Sequence, residues 1–176
     1  ILFDSAFDHL TGNGMSYYPA PLREEIEAVN ARVYDTVNNG VYKAGFATTQ
    51  EAYEAAVGPL FESLDWLEQR LSRHRYLVGD RLTEADWRLF TTTVRFDPVY
   101  HGHFKCNLRR IEDYPNLLGW MRELAQMPGV AETINLDHIK HHYYRSHPSV
   151  NPTRIVPVGK GPDLMAPHGR ARMRAA

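Results

Sequence analysis

Tyrosine and histidine are the side chains whose number invites a chemical role: the 176 residues hold 10 Tyr and 9 His. Six of the histidines, His101, His103, His138, His141, His142 and His147, crowd one stretch. Within it, His101-x-His103-x-x-Cys106 sets two imidazoles and a thiol at short spacing. Both types are good zinc or copper ligands, and a zinc site would draw a fourth ligand from His138, His141 or His142. Neither C-x-x-C nor H-E-x-x-H occurs, so the favoured reading has no metal, with Cys106 a small buried hydrophobe. As a nucleophile Cys106 would need a helix N-terminus or a cation to lower its pKa. Lys105 adjoins it, but the segment reads as mid-loop. The tyrosines remain. Tyr42 follows Asn38-Asn39-Gly40, while Tyr143 and Tyr144 end the last helical stretch. A phenol is neutral at pH 7 and can donate to a developing oxyanion; it is equally at home on the edge of a core. No Gly-rich phosphate loop, paired-carboxylate site or Ser-His-Asp order accompanies them.

The elements that must position these residues all read as helices. Phe3, Phe7 and Leu10 share one helical face before Thr11-Gly12-Asn13-Gly14 breaks it. Pro19 and Pro21 suit a first helical turn, and Leu22, Ile26, Val29, Val33 and Val37 follow at helical spacing. Asn38-Asn39-Gly40 then predicts a left-handed C-cap, leaving 41–47 as a connector. Thr48-x-x-Glu51 matches a capping box ahead of a long stripe, Tyr53, Val57, Leu60, Leu64, Leu67 and Leu71. Pro59 predicts a kink in that helix. After a turn at Gly79-Asp80, Thr83-x-x-Asp86 is a second capping signal, worth about 1 kcal/mol. It opens a helix apolar nearly all round (Trp87, Leu89, Phe90, Thr93, Val94, Phe96), hence central. Pro98 is expected to stop it and 101–110 to be a polar loop. Pro115 starts a helix with Leu117, Leu118, Met121 and Leu124, ended by Pro128-Gly129, and a last helical stretch runs from about Val130 to Tyr144. From Pro148 on, five prolines and three glycines leave no period. This is an extended tail, and Arg170, Arg172 and Arg174 read as a solvated terminus. With no strand pattern and no repeat, the fold class is all-α, a helical bundle with a coil tail.

Composition narrows the function classes. Apolar residues are 43% and charged residues 23% of the chain, so it can form a packed core. Lys plus Arg is 20 against Asp plus Glu 21, which gives no pull toward nucleic acid or an anionic membrane. A single cysteine excludes an internal disulfide. No window is long and apolar enough to span a bilayer, and no signal peptide is visible, so a cytoplasmic setting is the default expectation. The chain opens on Ile1 within an apolar run, which suggests a start further upstream.

Thr83-Glu84-Ala85-Asp86 at the start of a buried helix resembles the helical C-terminal domain of a glutathione transferase. The flanking runs resemble more narrowly the Xi class, the glutathionyl-hydroquinone reductases: Asn38 to Ala47, Val94 to Tyr100, His103 to Asn107, His138 to His147, and Asn151-Pro152-Thr153. The resemblance covers about residues 1–165. It implies a domain over 1–147, a tail over 148–176 that wraps onto the protein, and an N-terminal thioredoxin-like domain upstream. It further implies a reaction in which a cysteine thiolate of that upstream domain takes glutathione from a glutathionyl-hydroquinone. Hydroquinone leaves, and a second glutathione resolves the mixed disulfide to glutathione disulfide. The family's Cys-Pro-Trp segment is absent from this sequence, so no catalytic residue is expected within it and Cys106 does not inherit the role. Tyr42 and Tyr143 match the family's substrate-side phenols. Glutathione is the implied co-substrate, a glutathionyl-hydroquinone the implied substrate, and a homodimer through the helical domain the implied assembly. The competing reading is a non-catalytic helical scaffold for dimerisation or docking.

Overall fold

The computed structural model describes residues 6, 8–12 and 14–173, so the expected face through Phe3 and Phe7 lies outside the described residues. Past a single turn at Asp8–Thr11, six helices carry the fold: α1 (Arg23–Val33), α2 (Gly40–Gly45), α3 (Gln50–Leu71), α4 (Glu84–Arg95), α5 (Pro115–Ala125) and α6 (Leu136–Ser146). Among the described residues there is no strand, only an isolated bridge between Val78 and Arg81. The Leu60, Leu64, Leu67 and Leu71 stripe of α3 is fully buried, and Leu89 of α4 and Leu117, Trp120 and Leu124 of α5 complete the same core. Removing one such leucine typically costs 2–5 kcal/mol.

Two departures from the sequence reading shape the site. The helix through Val37 does not end at Asn38-Asn39-Gly40. It widens into a π-turn over Tyr34–Asn38, where the Asn39 N–H donates to the Tyr34 carbonyl at 2.9 Å, and continues as α2. Gly40 has no left-handed φ, so the expected connector 41–47 is helical as far as Gly45. The Asn38 amide supports the wide turn by donating to Arg88 O and Thr92 Oγ1 on α4. Likewise Pro98 does not stop α4. A second π-turn, Phe96–Tyr100, leads into a helical turn at His101–His103, so the expected loop begins three residues late. A proline lacks the N–H and clashes with the carbonyl four residues back in an α-helix; a wider turn relieves both and is a frequent mark of functional segments.

Smaller corrections follow the same logic. The cap of α3 is Thr49, one residue past the expected Thr48, with its hydroxyl accepting from Ala52 N at 3.2 Å. Pro59 lies inside α3 without breaking it. The expected Val130–Tyr144 stretch is a 3-10 turn at Ala131–Thr133 followed by α6, capped by Asn135.

The tail has no periodic pattern because helix side chains supply its hydrogen bonds. Arg122 donates to Asp163 O, Gln126 to Leu164 O and Ala166 O, and Lys140 to Gly159 O. The solvated terminus is overturned at Arg170, which is 4% exposed. Its guanidinium donates to four carbonyls, Leu71 and Asn116 through Nη1 and His74 and Arg75 through Nη2. Leu71 O is one of the orphan acceptors at the end of α3. Gly119 permits the crossing, since a Cβ there would sit 2.8 Å from His168 O.

Candidate functional site

The two wide turns face each other across one groove. Along the first helix Tyr34, Asn38, Asn39 and Tyr42 line it; along α4 and the second turn, Glu84, Trp87, Arg88, Thr91, Thr92, Arg95 and Tyr100 do; Tyr143 of α6 closes the floor. Its volume is about 780 Å³, ample for a substituted aromatic ring. The structure thus brings together Tyr42 and Tyr143, 101 residues apart in sequence, and adds Tyr100.

The three phenols form a hydrogen-bonded chain. Tyr143 Oη lies 2.6 Å from Tyr42 Oη and 2.8 Å from Tyr100 Oη. Exposure rises along the chain, from 2% at Tyr100 through 5% at Tyr143 to 38% at Tyr42. Three hydroxyl protons serve two mutual bonds, so one remains for a ligand. Burial pushes the Tyr143 phenol up to about 12, against a hydrogen bond from Tyr100 that favours its ionised form. Burial holds Tyr100 far above the usual tyrosine range, and its bond to Tyr143 adds to this. Tyr100 and Tyr143 are therefore kept as neutral donors.

Packing fixes the rings. Phe104 stacks on Tyr100 at 5.6 Å between centroids and touches Tyr42 at 5.5 Å and Tyr143 at 5.9 Å. Gly45 makes room for it, because a Cβ there would lie 2.2 Å from the Phe104 ring. Tyr100 was missed by sequence reasoning. The signal was a lone phenol at the end of an apolar helix, since a buried tyrosine hydroxyl needs a partner.

The remaining candidates fall elsewhere. Tyr144 turns away from the groove and donates to Pro98 O at 3.4 Å. Cys106 is fully buried, its thiol directed at Val41 O and Phe104 O and pushed up to about 12 by burial, only partly offset by Lys105. That is not an activated nucleophile. His103 Nε2 pairs with His147 Nδ1 at 3.1 Å, and His141 faces Asp137 on its own helix. Among the described residues no three His, Cys, Asp or Glu side chains converge as a metal site.

Thr83 and Asp86 sit at the far end of α4, away from the groove chemistry. Asp86 is fully buried and accepts from Thr83 N at 3.0 Å, Thr83 Oγ1 at 3.1 Å, Leu77 N at 2.9 Å and Trp120 Nε1 at 2.9 Å. Burial raises its pKa, and these four donors oppose the rise.

Comparison with known proteins places this arrangement. Residues 50–123 match the family "Glutathione S-transferase, C-terminal domain", and the chain belongs to that family. Within it the chain falls with the Xi class. It is 64% identical to the glutathionyl-hydroquinone reductase PcpF of Sphingobium chlorophenolicum over 163 residues, 93% of this chain and 52% of the relative. The glutathione-bound structure of YqjG, a glutathione transferase homologue from Escherichia coli K-12, superposes with a TM-score of 0.93 at 59% identity, covering 96% of this chain and 55% of that one. The glutathione-S-transferase Xi of Phanerochaete chrysosporium superposes at 0.87 and 60% identity, covering 90% of this chain and 52% of that one. The chain spans about half the length of the curated relatives it matches. Among the described residues no helix is long and apolar enough to cross a membrane.

Proposed function

We propose that this chain supplies the hydroquinone-binding half of a glutathionyl-hydroquinone reductase, with Tyr42 and Tyr143 as hydrogen-bond donors to the ring oxygens and Tyr100 behind them, bonded to Tyr143. The observation that carries the reading is the phenol chain, whose three hydroxyls make only two mutual bonds at the floor of an open groove. The thiolate and most of the glutathione site belong to a thioredoxin-like domain outside these residues. The buried, high-pKa Cys106 supports that division, as does the share of the glutathionyl-hydroquinone reductases it matches, about half of their length, that the chain spans. The thiolate attacks the glutathionyl sulfur, the electron pair of the carbon–sulfur bond stays with the ring, and the ring takes up one proton. A second glutathione then releases the enzyme thiolate as glutathione disulfide forms. Phenol donors aimed at the ring oxygens stabilise charge that grows as sulfur departs.

The test is glutathione-dependent release of hydroquinone by the intact protein. Tyr143→Phe removes both mutual bonds and should lower kcat tenfold or more, with a smaller effect on KM. Mixed-disulfide formation with a simple thiol reagent should be spared, because it needs the thiolate alone. A kcat within about twofold of the parent would remove the donor role. In this reading the protein works in the cytoplasm as a homodimer joined through the helical domain. Light scattering should give twice the protomer mass, and a monomer across a wide concentration range would count against it.

A further inference from the structure

α4 turns two guanidiniums toward the groove, Arg88 and Arg95, and they differ in their company. Arg88 lies 3.1 Å from the Glu84 carboxylate one turn back, so its charge is balanced. Arg95 is half-buried, yet among the described residues no carboxylate comes within ion-pair distance of it. One of its N–H groups donates to Thr91 O; a guanidinium has five. Arg95 is the last residue of α4, directly before the wide turn that ends in Tyr100. The uncompensated cation and the phenol chain therefore share one wall. Its field reaches the chain, drawing down the phenol that burial raises at Tyr143.

A neutral dihydroxy ring is served by the open end of the phenol chain and has no use for the cation. Holding a charge partly out of water without a partner is unfavourable, and an anion seated beside it offsets that cost. The planar fork of a guanidinium suits a carboxylate in particular. We infer that Arg95 is the specificity-determining residue of the groove, favouring aromatic substrates whose ring bears an anionic oxygen over their neutral counterparts. The inference rests on the hydroquinone reading above and names its substrate class. The same chemistry is available from the carboxylates of a glutathionyl arm. Arg95 ends α4 directly before the turn that carries Tyr100, and its charge acts on the Tyr143 phenol, which argues for the ring.

Gentisate (dihydroxybenzoate) and its methyl ester separate these possibilities, because they share one ring, differ in charge and carry no glutathione. Calorimetry on the intact protein should find gentisate bound about tenfold more tightly than the ester at low ionic strength, with the margin shrinking as salt is added. Arg95→Gln should abolish the margin and leave the affinity for the ester unchanged, while Arg95→Lys should keep part of it. Equal affinities in the parent protein overturn the inference and leave the hydroquinone reading standing. So does an undiminished margin in Arg95→Gln. Binding of neither compound by the parent protein overturns both. If Arg95→Gln loses helix content, Arg95→Met, which keeps the length of the side chain without its charge, decides in its place: a lost margin with intact ester binding supports the inference, and an undiminished margin overturns it.

Discussion

Both ends of α4 hold polar groups out of bulk water, and the two clusters are built in opposite ways. At its N-terminus the Asp86 carboxylate receives four donors from three separate segments, one of them the indole of Trp120 on α5. Every hydrogen there has an acceptor within the protein. At the other end, past the π-turn, three phenols share two bonds and open onto a groove. A closed cluster joins elements and leaves nothing for a ligand; an open one does less for the fold and retains a proton that can be donated. The physical reason is that the cost of an unpaired polar group scales with how dry it is. Asp86 is sealed, whereas Tyr42 is 38% exposed.

The strongest way to break this contrast is Asp86→Ala. It strands the Leu77 and Thr83 N–H groups, the Thr83 hydroxyl and the Trp120 indole in the core, and should lower global stability by about 3 kcal/mol. That exceeds the roughly 1 kcal/mol of a simple cap, which is what Thr83→Val should cost. Denaturant midpoints check both, and a loss under about 1 kcal/mol for Asp86→Ala would mean the cluster is not closed.

The open end should behave in the converse manner. Tyr143→Phe should reduce turnover of the intact enzyme tenfold or more, while shifting the unfolding midpoint far less than Asp86→Ala does. Tyr100→Phe sharpens the point. Tyr100 is the innermost member and reaches a ligand only through Tyr143, so its loss should cost kcat a few-fold, and Tyr143 should then titrate at a higher pH in spectrophotometric titration. Equal kcat effects at both positions would mean that Tyr100 meets the substrate itself.

Much of the closed end could be read in the sequence, and little of the open end. Thr83-x-x-Asp86 is a local signal, because a cap is made by residues three apart. The indole partner was invisible, since Trp120 comes from another helix. The groove depends on two π-turns, and both were misread as helix ends at Asn38-Asn39-Gly40 and Pro98. Those residues do favour termination when only local propensity is weighed. What overrides it is tertiary: Asn38 donates across to α4, and Phe104 fills the space left by Gly45. Tyr42 and Tyr143 stood as candidates beside Tyr144 from residue type and position, and only family resemblance singled them out; Tyr100 went unnamed. Arg170 shows the same limit in the tail, where a terminal arginine looks solvated until the carbonyls of 71, 74, 75 and 116 are seen around it.

A third cluster, between these extremes, yields the smallest expected effect. His103 and His147 are linked at 3.1 Å, and a neutral pair satisfies that contact with one N–H and one bare nitrogen. The rings lie against Phe104, Tyr143 and Tyr144, behind the floor of the groove. Burial lowers the His103 pKa to about 4, helped by His147 and by the charge on Lys105. His147 is lowered in turn, by burial and by His142. The folded pKa therefore lies below the ordinary value of about 6.5, so between those two pH values the unfolded chain binds more protons. Stability is then full above about pH 6.5 and is lost as the pH falls toward 4. Each tenfold difference in proton affinity is worth about 1.4 kcal/mol. Since solvent reaches the half-buried His147, the expected loss is about 1–2 kcal/mol. His103→Gln keeps a donor beside His147 but cannot take up the proton, so its stability should fall less steeply over the same range. Parallel slopes for the parent and His103→Gln in denaturant midpoints between pH 6.5 and 4.5 would show that the pair does not couple protonation to folding. A flatter slope for the variant would place it with Asp86 as a closed cluster, one that opens on gaining a proton.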